Sequence, residues 1–279
     1  MENKDIMDND SFCDDKIDKL ICLYNSKSGS QRGGNIGDEI KKFNGISFDM
    51  FKLNKKPLNN NETFSIFSNT LIKYDNKCVI LICGGDGSIV WGTTLIDNAL
   101  KYINDTKNIS LNYPIWLPLP FGTGNDLCRS TGWGNINFEL NKKNLINLIS
   151  DIYFSKCLAK RFYYIDRWKV TYKGVGSSHL PLKFLCYLSV GYDAKIAYKW
   201  EEDRKNNINK FKSQMKNQLM YMKHGSTELF RPSKAINNNI EIIINNEIKI
   251  LPENTRSFKL VNINSAMNGL YLWGNGKSK

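Results

Sequence analysis

A fully apolar run at Val79–Cys83 leads directly into the glycine-rich segment Gly84–Ser88 (GGDGS). Uninterrupted apolar strands are typical of parallel sheets, because helices cover both faces of such a sheet. Two further apolar runs, Leu20–Tyr24 and Ile115–Leu119, also lead into turn-forming residues. The segments between the runs have helical patterns; they are Gly37–Phe43, Thr63–Tyr74 and Ile89–Tyr102. This alternation predicts an α/β fold with an open, mostly parallel sheet.

The pattern changes from about residue 162, where short strand-like runs recur between turn signals. Such runs predict an antiparallel, sandwich-like region, interrupted by one helical segment at about 194–223. We therefore predict a first domain over residues 18–160 and a β-rich accessory domain over residues 161–279. Residues 1–17 contain six acidic residues and two lysines, which predicts a disordered acidic tail.

The chain has 279 residues and a formal net charge of +12. Nucleic acid, an anionic membrane or a phosphate-bearing substrate would each suit this charge, and charge alone does not decide between them. No apolar run approaches the ~18 residues of a transmembrane helix, and the N-terminus lacks a signal-peptide pattern. The seven cysteines form no C-x-x-C pair and only two histidines accompany them, so a structural zinc site is not expected. We expect reduced thiols and a cytoplasmic location.

Three loops rich in glycine or serine follow the predicted strands of the first domain: NSKSGS at 25–30, GGDGS at 84–88 and GTGND at 122–126. In open α/β sheets, ligands bind beyond the carboxyl ends of the strands. Glycine allows a ligand to approach the backbone closely and permits positive φ angles, so that amide groups can converge on phosphate oxygens. One such loop is most often an ordinary turn, but three in this arrangement favour a nucleotide-binding site.

Two of these loops contain a carboxylate next to a glycine-rich turn. Asp86 stands between glycines, where it could hold Mg²⁺ or accept a proton from a hydroxyl nucleophile, the alternative being a simple turn residue. Asp126 could serve either purpose, or cap the helix that begins there. The chain has no G-x-x-x-x-G-K-[ST], H-R-D, D-F-G or G-x-G-x-x-G motif, so nucleotide binding by another route is indicated.

A basic segment lies in the second domain. Arg204–Lys223 contains six cationic residues and no acid, and its apolar residues recur every three or four positions. This pattern predicts an amphipathic helix. The favoured interpretation is an apolar stripe packed on the core with a solvated basic face; the alternative is a surface helix that meets anionic lipid. No recognised nucleic-acid motif is present, so a nucleic-acid partner is not expected.

Five segments in collinear order carry a specific combination of motifs. They are CGGDGSIVW from Cys83, LPFGTGNDLCRSTGWG from Leu119, IDRWKV from Ile165, YLSVGYDAKIAY from Tyr187 and VNINSAMNGLYLWG from Val261. Together, over about residues 18–274, they resemble the eukaryotic diacylglycerol kinases. GGDG alone is shared with NAD kinases and phosphofructokinases, but its combination with LPxGTGNDLxR and DRW is far more specific. The sequence contains no cysteine-rich C1 modules, which many animal members of that family carry.

The resemblance implies a kinase that transfers the γ-phosphate of ATP to the free hydroxyl of diacylglycerol and forms phosphatidic acid. It also implies Mg²⁺ and peripheral association with an anionic membrane surface, with the first domain catalytic and the second lipid-binding. Asp86 is then the catalytic candidate, as base or Mg²⁺ ligand, and Asp126 and Asp193 are candidates for holding the metal. The residues expected to contact the nucleotide are Asn25, Ser28, Gly29, Gly84, Gly85, Gly87, Ser88, Gly122, Thr123, Gly124 and Asn125.

Several positions depart from the family pattern without removing a charged group; they are Ser26, Ser30, Val90, Asn264 and Asn268. Related bacterial lipid kinases place a proposed general-base Asp in a D-G motif near the C-terminus, and this sequence has no counterpart of it. Three interpretations stay open: the chain is a truncated form, Asp86 serves as the base, or the chain is an inactive nucleotide- or lipid-binding relative. A sphingoid or ceramide kinase is the nearest alternative activity, because these enzymes share the loops.

Overall fold

The computed structural model describes residues 17–26, 33–122, 124–132, 147, 164–171, 183–211, 214–229, 233–267 and 269–271. The chain forms two compact units, one of Met1–Phe121 with Cys128–Asp166 and the other of Gly122–Leu127 with Arg167–Lys279. The predicted acidic tail lies outside the described residues except for Ile17. The predicted boundary near residue 160 also lies outside them and stays a prediction.

The first unit is built on a sheet of four strands in the order β2–β1–β3–β4, and every pairing in it is parallel. The strands are β1 (Lys19–Tyr24), β2 (Ile46–Asp49), β3 (Cys78–Gly84) and β4 (Ile115–Pro120). The helices of this half of the chain are α1 (Gly33–Lys42), α2 (Met50–Leu53), α3 (Glu62–Tyr74), α4 (Asp86–Lys107) and α5 (Asp126–Ser130). The predicted α/β class with a mostly parallel sheet is confirmed.

Helices cover both faces of the sheet, and β3 is buried along its whole length. On one face, Ile36 and Ile40 of α1 pack in a cluster with Leu81 of β3. Successive side chains of a strand point to opposite faces, so Ile82 belongs to the other face. There α4 approaches so closely that a Cβ atom at Gly92 would lie 2.7 Å from Cγ2 of Ile82.

The short elements β2 and α2 had no signal in the sequence. Ile46–Asp49 pairs with β1 at the edge of the sheet, and Asp49 then accepts a hydrogen bond from the amide of Phe51 at 3.0 Å. This carboxylate caps α2, since Asp is a favoured residue at a helix N-terminus. Elements of four residues are too short for hydrophobic periodicity to identify them.

The second unit contains four antiparallel strand pairs within the described residues: β5–β6, β7–β10, β8–β9 and β11–β12. The strands are β5 (Trp168–Lys169), β6 (Lys183–Phe184), β7 (Tyr187–Gly191), β8 (Ile242–Ile244), β9 (Glu247–Lys249), β10 (Ser257–Val261), β11 (Ser265–Ala266) and β12 (Leu270–Tyr271). The predicted change to antiparallel strands is confirmed for these pairs.

The single helix predicted at about 194–223 is wrong, because the structure has two helices there. They are α6 (Tyr192–Asn206) and α7 (Gln214–Leu229), with a 3-10 turn at Ile208–Phe211 between them. Asn207 ends α6: its backbone is not helical, and its side-chain amide donates to Asp203 Oδ1 at 2.8 Å. Asn competes with helix continuation through such local hydrogen bonds, so Arg204–Lys223 is not one amphipathic helix.

The close approach of α4 to β3 generates a stability prediction. We expect Gly92→Ala to lower the free energy of unfolding by about 1–3 kcal/mol, because the added methyl group overpacks the contact with Ile82. Denaturant unfolding measures the loss. In an Ile82→Ala background the same substitution has room, so the double variant should lose less than the sum of the single variants. A loss in the double variant equal to the sum of the two single losses would contradict the packing of Gly92 against Ile82.

Candidate functional site

The carboxyl ends of β1 and β3 lie side by side because these two strands pair in parallel, with Tyr24 opposite Cys83. The chain passes from β1 to β2 on one side of this pair and from β3 to β4 on the other side. Such a reversal of direction opens a crevice beyond the strand ends, where open α/β sheets bind ligands. Two of the three predicted loops, those beginning at Asn25 and Gly84, start at this edge.

The structure brings these first two loops together. Nδ2 of Asn25 donates to Oγ of Ser88 at 3.3 Å, and the amide of Ser88 donates to the carbonyl of Gly85 at 2.9 Å. Two residues of the predicted nucleotide set, one from each loop, are therefore in contact. Ser28 and Gly29, also predicted from the first loop, lie outside the described residues.

Asp86 is the first residue of α4, which follows the N-cap residue Gly85. The sequence predicted a helix over Ile89–Tyr102, but the helix begins three residues earlier, and the alternative of a simple turn residue at Asp86 is therefore wrong. A helix N-terminus carries partial positive charge and unpaired amide groups, so it stabilises both a carboxylate and a bound phosphate. The half-buried Asp86 thus stands at the end of a helix of 22 residues.

The glycines of the second loop have different roles. A Cβ atom at Gly84 would lie 2.3 Å from Cβ of Ser88, whereas a Cβ atom at Gly87 would have no atom within 4 Å. Gly84 is therefore required by the packing of the strand-to-helix turn, and Gly87 faces open space. Gly85 has φ of −88°, so this position does not use the positive φ that glycine permits.

The third loop is closed by one of its own side chains. Oδ1 of Asn125 accepts from the amide of Gly122 at 2.9 Å, and Nδ2 donates to the carbonyl of Gly122 at 2.9 Å. Asn125 is buried and has a positive φ of 54°, a backbone region that Asn adopts more readily than most residues. In this conformation the amide of Gly122 is occupied by Asn125. Gly124, which lies between Gly122 and Asn125 in sequence, belongs to the described residues, whereas Thr123 does not.

Asp126 is fully buried. Its Oδ1 accepts from the hydroxyl of Ser265 at 2.7 Å and from the amide of Gly269 at 2.8 Å. Its Oδ2 lies 3.5 Å from the hydroxyl of Tyr187. A buried carboxylate needs hydrogen-bond donors of this kind because water no longer solvates it. Ser265 and Gly269 lie in the family-like segment that begins at Val261, but no local pattern relates them to Asp126, which stands more than a hundred residues earlier.

Asp193, the second predicted metal ligand, lies in the first turn of α6. Its Oδ2 pairs with Nζ of Lys259 at 3.0 Å, and the same ammonium group lies over the ring of Tyr187, 5.2 Å from its centroid. Asp126 and Asp193 therefore both belong to a network in the second unit that passes through Tyr187 and Lys259.

The buried cysteines near this edge are not suited to nucleophilic chemistry. Burial, together with the negative charge of Asp86, raises the pKa of the Cys128 thiol well above its usual range. Burial also raises the pKa of Cys83, whose sulfur lies 3.5 Å from that of Cys22. Since the thiolate is the nucleophile, Cys83 and Cys128 stay protonated and unreactive at neutral pH.

The described residues contain no cluster of three or more His, Cys, Asp or Glu side chains that could hold a metal ion by themselves. Mg²⁺ in phosphate-transferring sites is usually held by one or two carboxylates together with substrate phosphates and water. The half-buried Asp86, which follows the carboxyl end of β3, fits that pattern. Asp126 offers an oxygen that already accepts two hydrogen bonds, and Asp193 offers one that is paired with an ammonium group.

Two family models match this chain. Residues 19–151 match the diacylglycerol kinase catalytic domain, and residues 183–279 match the diacylglycerol kinase accessory domain. The chain therefore belongs to the diacylglycerol kinase family, and the resemblance seen in its motifs is confirmed. The family is one of lipid kinases, which is the enzyme class that the motifs predict.

Similar curated proteins carry the same family name. The chain is 28% identical over 277 residues to probable diacylglycerol kinase 3 of Caenorhabditis elegans, covering 92% of this chain and 31% of that protein. It is 30% identical over 203 residues to diacylglycerol kinase 2 of Arabidopsis thaliana, covering 70% and 26%. It is 26% identical over 272 residues to diacylglycerol kinase 1 of Arabidopsis thaliana, covering 92% and 33%. The chain spans about a third or less of the length of these relatives.

Two of the three glycines of the second loop, Gly84 and Gly87, form a matched pair for a stability test. We expect Gly84→Ala to lower the thermal midpoint clearly, because the new methyl group collides with Ser88. Gly87→Ala should leave the midpoint unchanged or raise it, since it meets open space and Ala is the better helix former. Differential scanning calorimetry compares them. Equal midpoints for the two variants would contradict the assigned packing role of Gly84.

Proposed function

We propose that this chain catalyses the transfer of the γ-phosphate of ATP to the free hydroxyl of diacylglycerol, forming phosphatidic acid and ADP. The observation that carries the proposal is the edge of the parallel sheet between β1 and β3. There the Asn25–Ser88 contact and the N-terminus of α4, headed by Asp86, lie next to each other. The family assignment adds the class of acceptor, a lipid with a hydroxyl group.

The N-terminus of α4 is the proposed binding place for the ATP phosphates. Its amide groups and partial positive charge favour anions, and Gly87 leaves open space beside it. Asn25 and Ser88 supply polar side chains at the same edge. The amides of the third loop are also proposed to contact the nucleotide; in the described conformation Gly124 and Asn125 are better candidates than Gly122, whose amide donates to Asn125.

Asp86 is the proposed catalytic residue. The acceptor hydroxyl attacks the γ-phosphorus, the bond from that phosphorus to the bridging oxygen breaks, and ADP leaves with the electron pair. The hydroxyl proton passes to the carboxylate of Asp86 when Asp86 acts as the base. As the alternative role, Asp86 would hold Mg²⁺, which when bound with ATP neutralises charge on the phosphates.

Mg²⁺ ligation by Asp126 and Asp193 remains a weaker proposal. The contacts of Asp126 with Ser265 and Gly269 and the ion pair of Asp193 with Lys259 support structural roles in the second unit. We therefore favour Asp86 as the carboxylate that would meet the metal. A magnesium titration of phosphate transfer in each of the three Asp→Asn variants compares these roles, because a lost ligand raises the magnesium concentration required.

Two other functions are open to the same test. A sphingoid or ceramide kinase would share the nucleotide loops and differ in the acceptor lipid. An inactive nucleotide- or lipid-binding relative would bind ATP without transferring phosphate. Assaying diacylglycerol, sphingosine and ceramide side by side with labelled ATP, together with calorimetric ATP binding, separates the three. Label incorporated into phosphatidic acid alone supports the proposal.

The first prediction from this proposal concerns Asp86. We expect Asp86→Asn to reduce phosphate transfer at least about 10²-fold, the low end for a lost general base. The free energy of unfolding should fall by only about 0.3–1 kcal/mol, through the lost interaction with the helix N-terminus. Labelled product formation and denaturant unfolding measure the two effects.

The matched control is Asp105→Asn. It makes the same chemical change near the opposite end of the same helix, at an exposed position, so it should transfer phosphate like the wild type. Phosphate transfer by Asp86→Asn at close to the wild-type rate would exclude a catalytic role for Asp86.

The acceptor lipid resides in a bilayer, so the second part of the proposal is peripheral binding to an anionic membrane. No helix within the described residues has both the length and the apolarity to cross a membrane. The basic segment deserves a new interpretation: Phe211 is buried, but Leu219 and Met222 are 58% and 68% exposed. The favoured interpretation, an apolar stripe packed on the core, therefore holds for Phe211 but not for Leu219 and Met222.

The exposed apolar residues of α7 share one side of the helix with two lysines. We call this surface the α7 face: Lys216, Leu219, Met222 and Lys223, all exposed. At 3.6 residues per turn, these positions lie within an arc of about 120°. Apolar side chains between cations match a bilayer with anionic headgroups, since each lysine near such a surface contributes about 1 kcal/mol.

The second prediction concerns this face. We expect co-sedimentation with phosphatidylserine-containing vesicles at low salt to fall clearly in Lys216→Gln/Lys223→Gln and in Leu219→Gln/Met222→Gln. The lysine contribution should vanish at high salt through screening, whereas the apolar contribution should persist. Lys55→Gln/Lys101→Gln changes the charge equally at exposed positions of the first unit and should bind like the wild type. Equal co-sedimentation of all variants with the vesicles at low salt would contradict membrane binding by the α7 face and leave α7 with a structural role.

A further inference from the structure

The carboxylate of Asp126 is held by residues that follow it by more than a hundred positions. The hydroxyl of Ser265 donates to Oδ1 at 2.7 Å across 139 residues of sequence, and the amide of Gly269 donates to the same oxygen at 2.8 Å. Asp126 and Ser265 are both fully buried. Hydrogen bonds to an ionised group are short and stronger than those between neutral groups, above all where water is excluded.

The third loop belongs to the second unit, in agreement with the hydrogen bonds of Asp126 to Ser265 and Gly269. Gly122–Leu127 lies within the region matched by the catalytic-domain model, yet its contacts assign it to the unit that contains Arg167–Lys279. The hydrogen bonds of the Asp126 carboxylate with Ser265, Gly269 and Tyr187 reach residues of the accessory-domain match.

We propose that Ser265 is a positioning residue for the nucleotide loop, acting through Asp126. The proposal rests on the proposed function, in which the backbone of Gly124 and Asn125 contacts ATP. Asn125 directly precedes Asp126, and its side chain forms hydrogen bonds with both the amide and the carbonyl of Gly122. These hydrogen bonds close the loop on itself, and the hydrogen bonds of the Asp126 carboxylate then determine the position of its backbone. Loss of the Ser265 hydroxyl leaves Oδ1 with one fewer donor, so the loop samples other positions.

The test measures ATP binding without lipid, by titration calorimetry on the whole chain, beside steady-state phosphate transfer. We expect Ser265→Ala to weaken ATP binding about 10-fold and to raise the KM for ATP by a similar factor, with a smaller change in kcat. Ser265→Thr keeps the hydroxyl and should restore most of the affinity. Asp126→Asn should weaken ATP binding as well, and Ser265→Ala should add little in that background, because both changes break one interaction.

A matched control separates positioning from general destabilisation. Phe211→Leu removes buried volume in the same unit and leaves the hydrogen bonds of Asp126 with Ser265 and Gly269 in place, so it should lower the melting temperature and leave ATP affinity unchanged. Equal ATP affinities for Ser265→Ala and Phe211→Leu would overturn the proposal and leave Ser265 with a structural role. If Ser265→Ala does not fold, Ser265→Cys keeps a weak donor at similar volume and should show an intermediate loss.

The same data keep the two proposals apart. ATP binding that depends on Ser265, in a chain that transfers no phosphate to any lipid, supports the positioning role and overturns the kinase activity. Phosphate transfer with ATP affinity that does not depend on Ser265 supports the kinase activity and overturns the positioning role. A wild-type chain that binds no ATP overturns both.

Discussion

The parallel pairing of β1 with β3 is the contact on which the first unit depends. Six residue pairs, from Lys19–Cys78 to Tyr24–Cys83, join two strands that β2 and three helices separate in sequence. Both strands are apolar on both faces, so a slip of register by one residue would not expose a polar set but would displace the loops that follow. The pairing of β1 with β3, which helps to form the core, therefore also places Asn25 next to Ser88.

Asp86 and Asp126 stand in similar sequence contexts and differ in environment. Asp86 is half-buried at the N-terminus of a long helix, where its charge raises the pKa of the neighbouring Cys128 thiol, with burial as the larger cause. Asp126 is fully buried and accepts hydrogen bonds from an alcohol and an amide. A carboxylate that must meet substrate needs access, whereas one enclosed by donors fixes the backbone around it. The two environments therefore support different roles.

The sequence predicts well where local pattern and burial agree. The apolar run of β3 followed by glycines identified the strand and the turn at its carboxyl end, because a strand buried on both faces cannot be polar. It predicted α4 but missed its start, since Gly85 and Asp86 are poor helix formers whose placement depends on the cap. It merged α6 and α7, because the periodicity of apolar residues continues across the local hydrogen bonds of Asn207 that end α6. The partnership of Ser265 with Asp126 had no local signal.

Ser265 lies in the family-like segment that begins at Val261, but only tertiary structure relates it to Asp126. A serine between Asn264 and Ala266 has no distinctive spacing, and only burial beside a carboxylate gives its hydroxyl a defined task. Both ends of the loop Gly122–Leu127 continue into the first unit, at Phe121 and at Cys128, while its carboxylate is bound within the second. We expect a loop attached in this way to keep its conformation only while the residues around Ser265 are folded. If the loop contacts ATP as proposed, accessory-domain sequence contributes to the nucleotide site through Asp126.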